Sequence, residues 1–132
     1  MANLLEQLRA VTVVVADTGD IEAIEKVKPQ DATTNPSLIT AAALMPQYQA
    51  IVEDTLKGAR ATLGADASQK DVVTLAFDRL AVSFGLKILD IIPGRVSTEV
   101  DARLSYDTEK TIAQAREILR RVAPPDAVRR AS

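Results

Sequence analysis

The sequence contains no cysteine and no histidine among its 132 residues. The first absence excludes disulfide bonds and a thiol nucleophile, the second excludes a histidine base, and together they exclude the usual zinc sites. Any proton transfer must therefore use carboxylates, lysine, tyrosine or water. Tryptophan is also absent and aromatic residues make up only 3% of the chain, so aliphatic side chains must supply most of the core.

No charge of one sign dominates the chain either. Sixteen basic residues stand against 18 acidic ones, for a net charge of −2, and no basic cluster is interleaved with aromatic residues, so nucleic-acid binding is not expected. The N-terminal segment lacks the charged-then-apolar order of a signal peptide. No apolar run approaches the roughly 20 residues of a membrane span, and we therefore expect a cytoplasmic protein that does not bind membranes.

Three segments have the pattern of β-strands. Residues 12–18 form a continuous apolar run, which predicts a strand that is buried on both faces, as in parallel sheets. Residues 30–35 predict a short polar strand, and residues 95–101 predict a third strand with alternating polar and apolar side chains.

Helical patterns separate and follow these strands. Asp20 is placed to cap a short helix, Ser68 begins a long helix that we expect to stop around Gly85, and residues 107–122 form the last helix. Between the second and third strands, a helical pattern is interrupted at Pro46, because proline cannot donate a backbone hydrogen bond.

The alternation of strands and helices predicts an α/β fold with a parallel sheet. Each strand ends in polar side chains, and in a (β/α)8 barrel the active site lies at the carboxyl ends of the strands. Such barrels run to about 250 residues, so this chain is expected to supply only the first three βα units of an incomplete TIM barrel. We assign residues 1–122 to this part and residues 123–132 to a divergent tail containing proline and arginine.

The strand-end residues allow two interpretations when the residues are considered alone. Asp17 could be a catalytic carboxylate or a helix-capping acid. Asn35, which precedes Pro36, could bind a ligand or simply cap the next helix. Glu99 could be catalytic or an exposed charge at the end of a strand.

Three motifs favour the functional interpretation. "VVADTGD" at residues 14–20, "QDATTNPSLI" at residues 30–39 and "PGRVSTEVDARLSYDT" at residues 93–108 resemble transaldolase of the large bacterial and eukaryotic class. The similarity covers about residues 5–121. It implies a Schiff-base aldolase on a (β/α)8 barrel, acting in the pentose phosphate pathway. Such an enzyme moves a dihydroxyacetone unit from sedoheptulose 7-phosphate or fructose 6-phosphate to an aldose phosphate. No cofactor is implied, since a lysine supplies the electron sink.

The resemblance also implies roles for individual residues. Asp17 matches the acid/base that handles the substrate hydroxyl proton, and Glu99 matches the carboxylate that activates water for Schiff-base formation and hydrolysis. Asn35 matches a residue that holds a substrate hydroxyl, with Thr33 close by. Ser97, on the same strand end as Glu99, is a further substrate-binding candidate.

One part of the family's site has no match in this chain. The Schiff-base lysine of the family lies on the fourth strand, in a segment that this sequence does not contain, so we expect no activity from the chain alone. Three alternatives remain open: a fragment of an enzyme, a non-catalytic half-barrel that docks or self-associates through open sheet edges, and an aldolase with a relocated lysine. For the last, the candidates are Lys26, Lys28, Lys57, Lys70, Lys87 and Lys110.

Overall fold

A computed structural model of the protein describes residues 3–122, and the predicted tail at residues 123–132 lies outside the described residues. Helices and strands alternate along this part of the chain. In chain order they are α1 (Leu4–Arg9), β1 (Val15–Asp17), α2 (Ile21–Val27), β2 (Asp31–Thr34), α3 (Pro36–Ala43), a 3₁₀ turn (Pro46–Tyr48), α4 (Gln49–Leu63), α5 (Gln69–Leu89), β3 (Val96–Thr98), a second 3₁₀ turn (Ala102–Leu104) and α6 (Thr108–Val122).

The three strands form one parallel sheet in the order β1-β2-β3. This arrangement confirms the predicted α/β class and the succession of βα units. Each parallel connection needs a crossover, and helix α2 supplies the first of them, while α3, α4 and α5 together supply the second.

Local capping signals fix several helix ends as predicted. Asp20 accepts hydrogen bonds from the backbone N–H groups of Glu22 and Ala23 at the start of α2. Ser68 accepts from the N–H of Asp71 at the start of α5. The helical pattern breaks at Pro46, which begins a 3₁₀ turn rather than continuing α3.

Three predictions about extent were wrong, the first being the third strand, which spans Val96–Thr98 and not residues 95–101. Helix α5 does not stop at Gly85 but runs to Leu89, because Phe84 and Ile88, on either side of the glycine, are fully buried and this burial outweighs the low helix propensity of glycine. The first strand is short and not buried on both faces: the side chains of Val13 and Val15 are 60% and 47% exposed. Strand β1 lies at an edge of the described sheet, and the helices cover only one of its faces.

The core lies between the sheet and α5. One cluster contains Tyr48 and Phe84, whose rings meet edge to face with centroids 5.2 Å apart. The Tyr48 hydroxyl donates to the carboxylate of Asp20 at 3.1 Å, which ties the core to the start of α2. A second cluster joins Ala32 of β2 to Ile88 of α5. Helix α5 thus links both clusters.

Truncation of Phe84 should test whether α5 organises this core. Because the side chain is fully buried, Phe84→Ala should lower the free energy of unfolding by about 3–5 kcal/mol, measured by urea denaturation followed by circular dichroism. Val73→Ala on the same helix is the matched control, because Val73 is 51% exposed and its truncation should cost less than about 1 kcal/mol. Equal losses in the two variants would contradict this account of the core.

Candidate active site

Three of the candidate side chains lie in one row across the sheet. The register pairs Asp17 with Thr33 and Thr33 with Ser97, and partners in a parallel register lie on the same face. The Thr33 hydroxyl donates to the Asp17 carboxylate at 2.8 Å. Asp17 and Ser97 are exposed and Thr33 is half-buried, so the row is open to a ligand at the carboxyl end of the sheet.

The two adjacent threonines of β2 face opposite sides of the sheet. Thr34 is only 1% exposed, and its hydroxyl lies 3.4 Å from both the Thr98 hydroxyl and the Ser97 carbonyl oxygen. Thr33 lies on the other face, beside Asp17. Thr34 therefore faces the helices, where its hydroxyl is hydrogen-bonded. Thr33 faces the open side of the sheet, in the same row as Asp17 and Ser97.

Asn35 is the N-cap of α3. Its side-chain oxygen accepts from the N–H of Leu38 at 2.9 Å, and Pro36 occupies the first helical position. The side-chain NH2 group of Asn35 has no hydrogen-bond partner among residues 3–122. A capping role and a ligand-binding role are thus compatible, because they use different atoms of the same half-buried side chain.

Glu99 directly follows β3, and its backbone adds one hydrogen bond to the pairing of β3 with β2. Its N–H group donates to the Thr34 carbonyl oxygen at 3.4 Å, and its side chain is exposed. Glu99 borders a cleft of about 880 Å³ between α5 and α6, which Pro36 also lines. Within residues 3–122, no hydrogen bond joins the side chain of Glu99 to Asp17 or Asn35, so the structure brings together the Asp17 row but does not link Glu99 to it.

A glutamine connects the walls of this cleft. Gln114 of α6 donates to the Asp78 carboxylate of α5 at 3.2 Å and accepts from the N–H of Asp101 at 2.9 Å. Burial raises the pKa of Asp78, although the hydrogen bond from Gln114 and the charge of Arg121 oppose the shift. Gln114 thereby holds the backbone at Asp101, two residues beyond Glu99, against α6.

Sequence reasoning missed both Asp78 and Gln114. The available signal was a carboxylate within a long, largely apolar helical pattern, next to Phe77 and close to Leu80. Such a charge needs a polar partner, but the sequence does not reveal that the partner comes from α6.

All six lysines are exposed. A Schiff-base lysine normally needs a desolvated pocket or a neighbouring cation to become nucleophilic at neutral pH, and none of the six is buried. Lys70, at the start of α5, is the lysine that borders the same cleft as Glu99.

The described part of the chain shows neither a metal-ion site nor a membrane-spanning helix. Residues 3–122 contain no group of three or more acidic side chains arranged to hold a metal ion. Within the same range, no helix is both long enough and apolar enough to cross a bilayer.

Comparison with known proteins gives a consistent family match. The family model described as "Transaldolase/Fructose-6-phosphate aldolase" matches residues 14–128. A transaldolase of Methylococcus capsulatus is 80% identical over 118 residues, which is 89% of this chain and 36% of the relative. A transaldolase of Nostoc punctiforme is 74% identical over 117 residues, 89% of this chain and 35% of the relative. The chain thus spans about a third of the length of these curated relatives, consistent with a partial barrel.

Substitutions of Asn35 should show whether its side-chain oxygen stabilises α3 independently of its NH2 group. Asn35→Ala removes the cap and should lower the free energy of unfolding by about 1 kcal/mol, as measured by urea denaturation. Asn35→Asp is the matched control: it keeps the accepting oxygen and should remain within about 0.5 kcal/mol of the unsubstituted chain, while losing the NH2 donors. If the alanine variant is as stable as the parent chain, the capping role of Asn35 is wrong.

Proposed function

This chain belongs to the transaldolase/fructose-6-phosphate aldolase family, and on that basis we propose that it supplies part of the active site of a transaldolase. The reaction is the Schiff-base transfer of a dihydroxyacetone unit from a ketose phosphate, such as sedoheptulose 7-phosphate or fructose 6-phosphate, to an aldose phosphate. We propose that it acts in the pentose phosphate pathway, in the cytoplasm. The observation that carries the proposal is the row of Asp17, Thr33 and Ser97 at the carboxyl ends of parallel strands.

Asp17 is assigned the proton transfer at the substrate hydroxyl. When the carbon–carbon bond of the donor breaks, a base removes the hydroxyl proton, the aldehyde leaves, and the bonding electron pair moves into the iminium formed with a lysine. The reverse sequence adds the resulting enamine to the acceptor aldehyde. The hydrogen bond from Thr33 holds one carboxylate oxygen of Asp17, which supports a fixed orientation and leaves the other oxygen for the proton.

The remaining candidates bind substrate or water. Glu99 is assigned the activation of the water that is released and consumed as the Schiff base forms and hydrolyses. The NH2 group of Asn35, which has no partner among residues 3–122, donates to a substrate hydroxyl. Ser97, exposed in the same row as Asp17, contributes a second hydroxyl contact. Carboxylates in different surroundings can divide acid and base roles in this way, and the absence of histidine makes them the natural agents.

The lysine nucleophile is assigned to a part of the enzyme outside this chain. The chain has no counterpart of the family's fourth-strand lysine, and its own six lysines are all exposed. We therefore propose that the chain alone does not form the Schiff base and does not turn over.

Borohydride trapping tests this proposal directly. The purified chain is incubated with fructose 6-phosphate and borohydride, and its intact mass is measured; we expect no adduct, because none of the six lysines lies in a desolvated pocket. A longer transaldolase treated in parallel should gain the mass of the trapped sugar.

Lys70→Gln is the informative variant, since Lys70 shares a cleft with Glu99. An adduct on the parent chain that disappears in Lys70→Gln would overturn the proposal and identify a relocated lysine. Under that outcome, the cleft between α5 and α6 would be the reaction site.

A second candidate function is that of a non-catalytic half-barrel that docks onto a complementary protein. The observation that favours it is that β1 and β3 each have one edge with no paired strand among residues 3–122. Beside the β1 edge, Val11, Val13 and Val15 are 81%, 60% and 47% exposed. Unpaired edges next to exposed apolar side chains are surfaces that proteins normally cover.

Reconstitution distinguishes the two functions. The chain is mixed with the part of the Methylococcus capsulatus relative that lies beyond its match to this chain, and both complex formation and transaldolase turnover are measured. We expect a 1:1 complex with restored turnover, and Asp17→Asn should keep the complex but reduce turnover by at least about 100-fold. A complex without turnover would favour the docking function, and turnover unchanged by Asp17→Asn would contradict the role of Asp17.

A further inference from the structure

The glutamate assigned to water activation lies on a short segment between β3 and α6. This segment, residues 99–103, directly follows β3 and lines the cleft between α5 and α6. The side chain of Glu99 is exposed and makes no hydrogen bond within residues 3–122. The direction of its carboxylate is therefore set by the backbone that carries it.

The backbone of this segment is anchored at two points. The N–H of Glu99 donates to the carbonyl oxygen of Thr34 at 3.4 Å, which is long for a hydrogen bond between backbone groups. Two residues later, the N–H of Asp101 donates to Oε1 of Gln114 at 2.9 Å. The shorter anchor is thus a side chain of α6 and not the neighbouring strand.

The side chain of Asp101 is committed to the turn that follows. Its carboxylate accepts from the backbone N–H of Arg103 at 2.9 Å and from Nε of the same residue at 2.8 Å. The side-chain hydrogen bond from Arg103 lowers the pKa of Asp101. Because these contacts stay within the turn, the described hydrogen bond that joins Asp101 to the helical layer is the one to Gln114.

A carboxylate of α5 decides which way the amide of Gln114 points. Nε2 of Gln114 donates to Oδ1 of Asp78 at 3.2 Å, and an ionised carboxylate can only accept hydrogen bonds. The NH2 group must therefore face Asp78, which leaves the amide oxygen for the N–H of Asp101. A reversed amide would set two donors against each other at Asp101 and two acceptors against each other at Asp78.

Partial burial makes these two hydrogen bonds difficult to replace with water. Asp78, Gln114 and Asp101 are all half-buried, and a desolvated polar group that loses its partner is costly. Burial raises the pKa of Asp78, while the hydrogen bond from Gln114 and the charge of Arg121 oppose that rise. Both opposing contacts favour the charged form of Asp78 that the orientation of Gln114 requires.

We propose that Gln114 is a positioning residue for Glu99 and that Asp78 sets the orientation of Gln114. This inference rests on the role of Glu99 in the proposed function and adds two residues outside the strand-end row. Neither residue is assigned a contact with substrate. They hold the backbone that directs the Glu99 carboxylate towards the water, so the site depends on the packing of α6 against α5.

Hydrogen exchange in the chain itself tests the anchor. Exchange of the Asp101 amide is followed by nuclear magnetic resonance in Gln114→Met, which keeps the length of the side chain and removes both hydrogen bonds. We expect the Asp101 amide to exchange about five-fold faster. Arg116→Met is the matched control, because Arg116 is exposed on the same helix, and it should leave the rate unchanged. An unchanged rate in Gln114→Met would overturn the proposal.

A reversal of polarity tests the part played by Asp78. Gln114→Glu alone sets a second carboxylate against Asp78 and should also speed exchange of the Asp101 amide. Addition of Asp78→Asn should restore the parent rate, because the introduced amide can donate to the introduced carboxylate. Failure of the double variant to restore the rate would refute the role of Asp78. If Gln114→Met loses the native circular dichroism spectrum, the comparison of Gln114→Glu with the double variant decides the question.

Borohydride trapping connects the anchor to Glu99. The rate of adduct formation from fructose 6-phosphate is measured in the complex of this chain with the complementary part of the Methylococcus capsulatus relative. Glu99→Gln should slow this rate about 100-fold and Gln114→Met about ten-fold. In the Glu99→Gln background, Gln114→Met should cause no further slowing, because it acts through Glu99. Additive slowing would contradict the proposal.

The outcomes separate this inference from the proposed function. If Glu99→Gln does not slow adduct formation, the role of Glu99 is wrong, and the positioning role with it. If Glu99→Gln slows the reaction and Gln114→Met does not, the positioning role alone is wrong. If no complex forms, residual dipolar couplings of the Glu99 N–H in the chain decide: they should change in Gln114→Met and stay constant in Arg116→Met, and the reverse would overturn the inference.

Discussion

Helix α5 packs against one face of the parallel three-stranded sheet, and this contact sets the arrangement of the other elements. Phe84 and Ile88 of this helix are fully buried, and Ala32 and Thr34 of β2 lie beneath the helical layer. Because side chains alternate along a strand, burying Ala32 and Thr34 places Thr33 on the opposite face. The same register then brings Asp17 and Ser97 beside Thr33, so the core determines the composition of the open face.

Residues at the strand ends serve stability and chemistry through different atoms. Asn35 caps α3 with its oxygen and keeps its NH2 group unpaired within the described residues. Asp17 accepts from Thr33 with one oxygen, which orients the carboxylate without occupying all of its acceptor sites. This division explains how a short polar segment can both end a strand and present groups to a ligand.

Helix α6 contributes polar side chains to two clefts that it forms with α5. On one side, Gln114 joins Asp78 to the backbone at Asp101, in a cleft where burial raises the pKa of a carboxyl group. On the other side, Arg121 lines a groove formed with α4 and α5, where it pairs with Glu117 at 2.9 Å. Both clefts depend on side chains of α6 that pack against α5. Helix α6 therefore positions polar groups in addition to covering the sheet.

Features that depend on near neighbours in the chain could be predicted from the residues alone. The caps at Asp20 and Ser68, the break at Pro46 and the parallel βα order follow from local backbone chemistry and periodicity, and the motifs around Asp17, Asn35 and Glu99 identified the family. The tertiary structure, in contrast, sets which faces are covered, because burial depends on distant elements: packing extends α5 through Gly85 and leaves Val15 half exposed at the sheet edge. It also paired Asp78 with Gln114, 36 positions away, and left Arg121 Nη1 without a partner in residues 3–122, since such contacts arise only when helices far apart in sequence pack together.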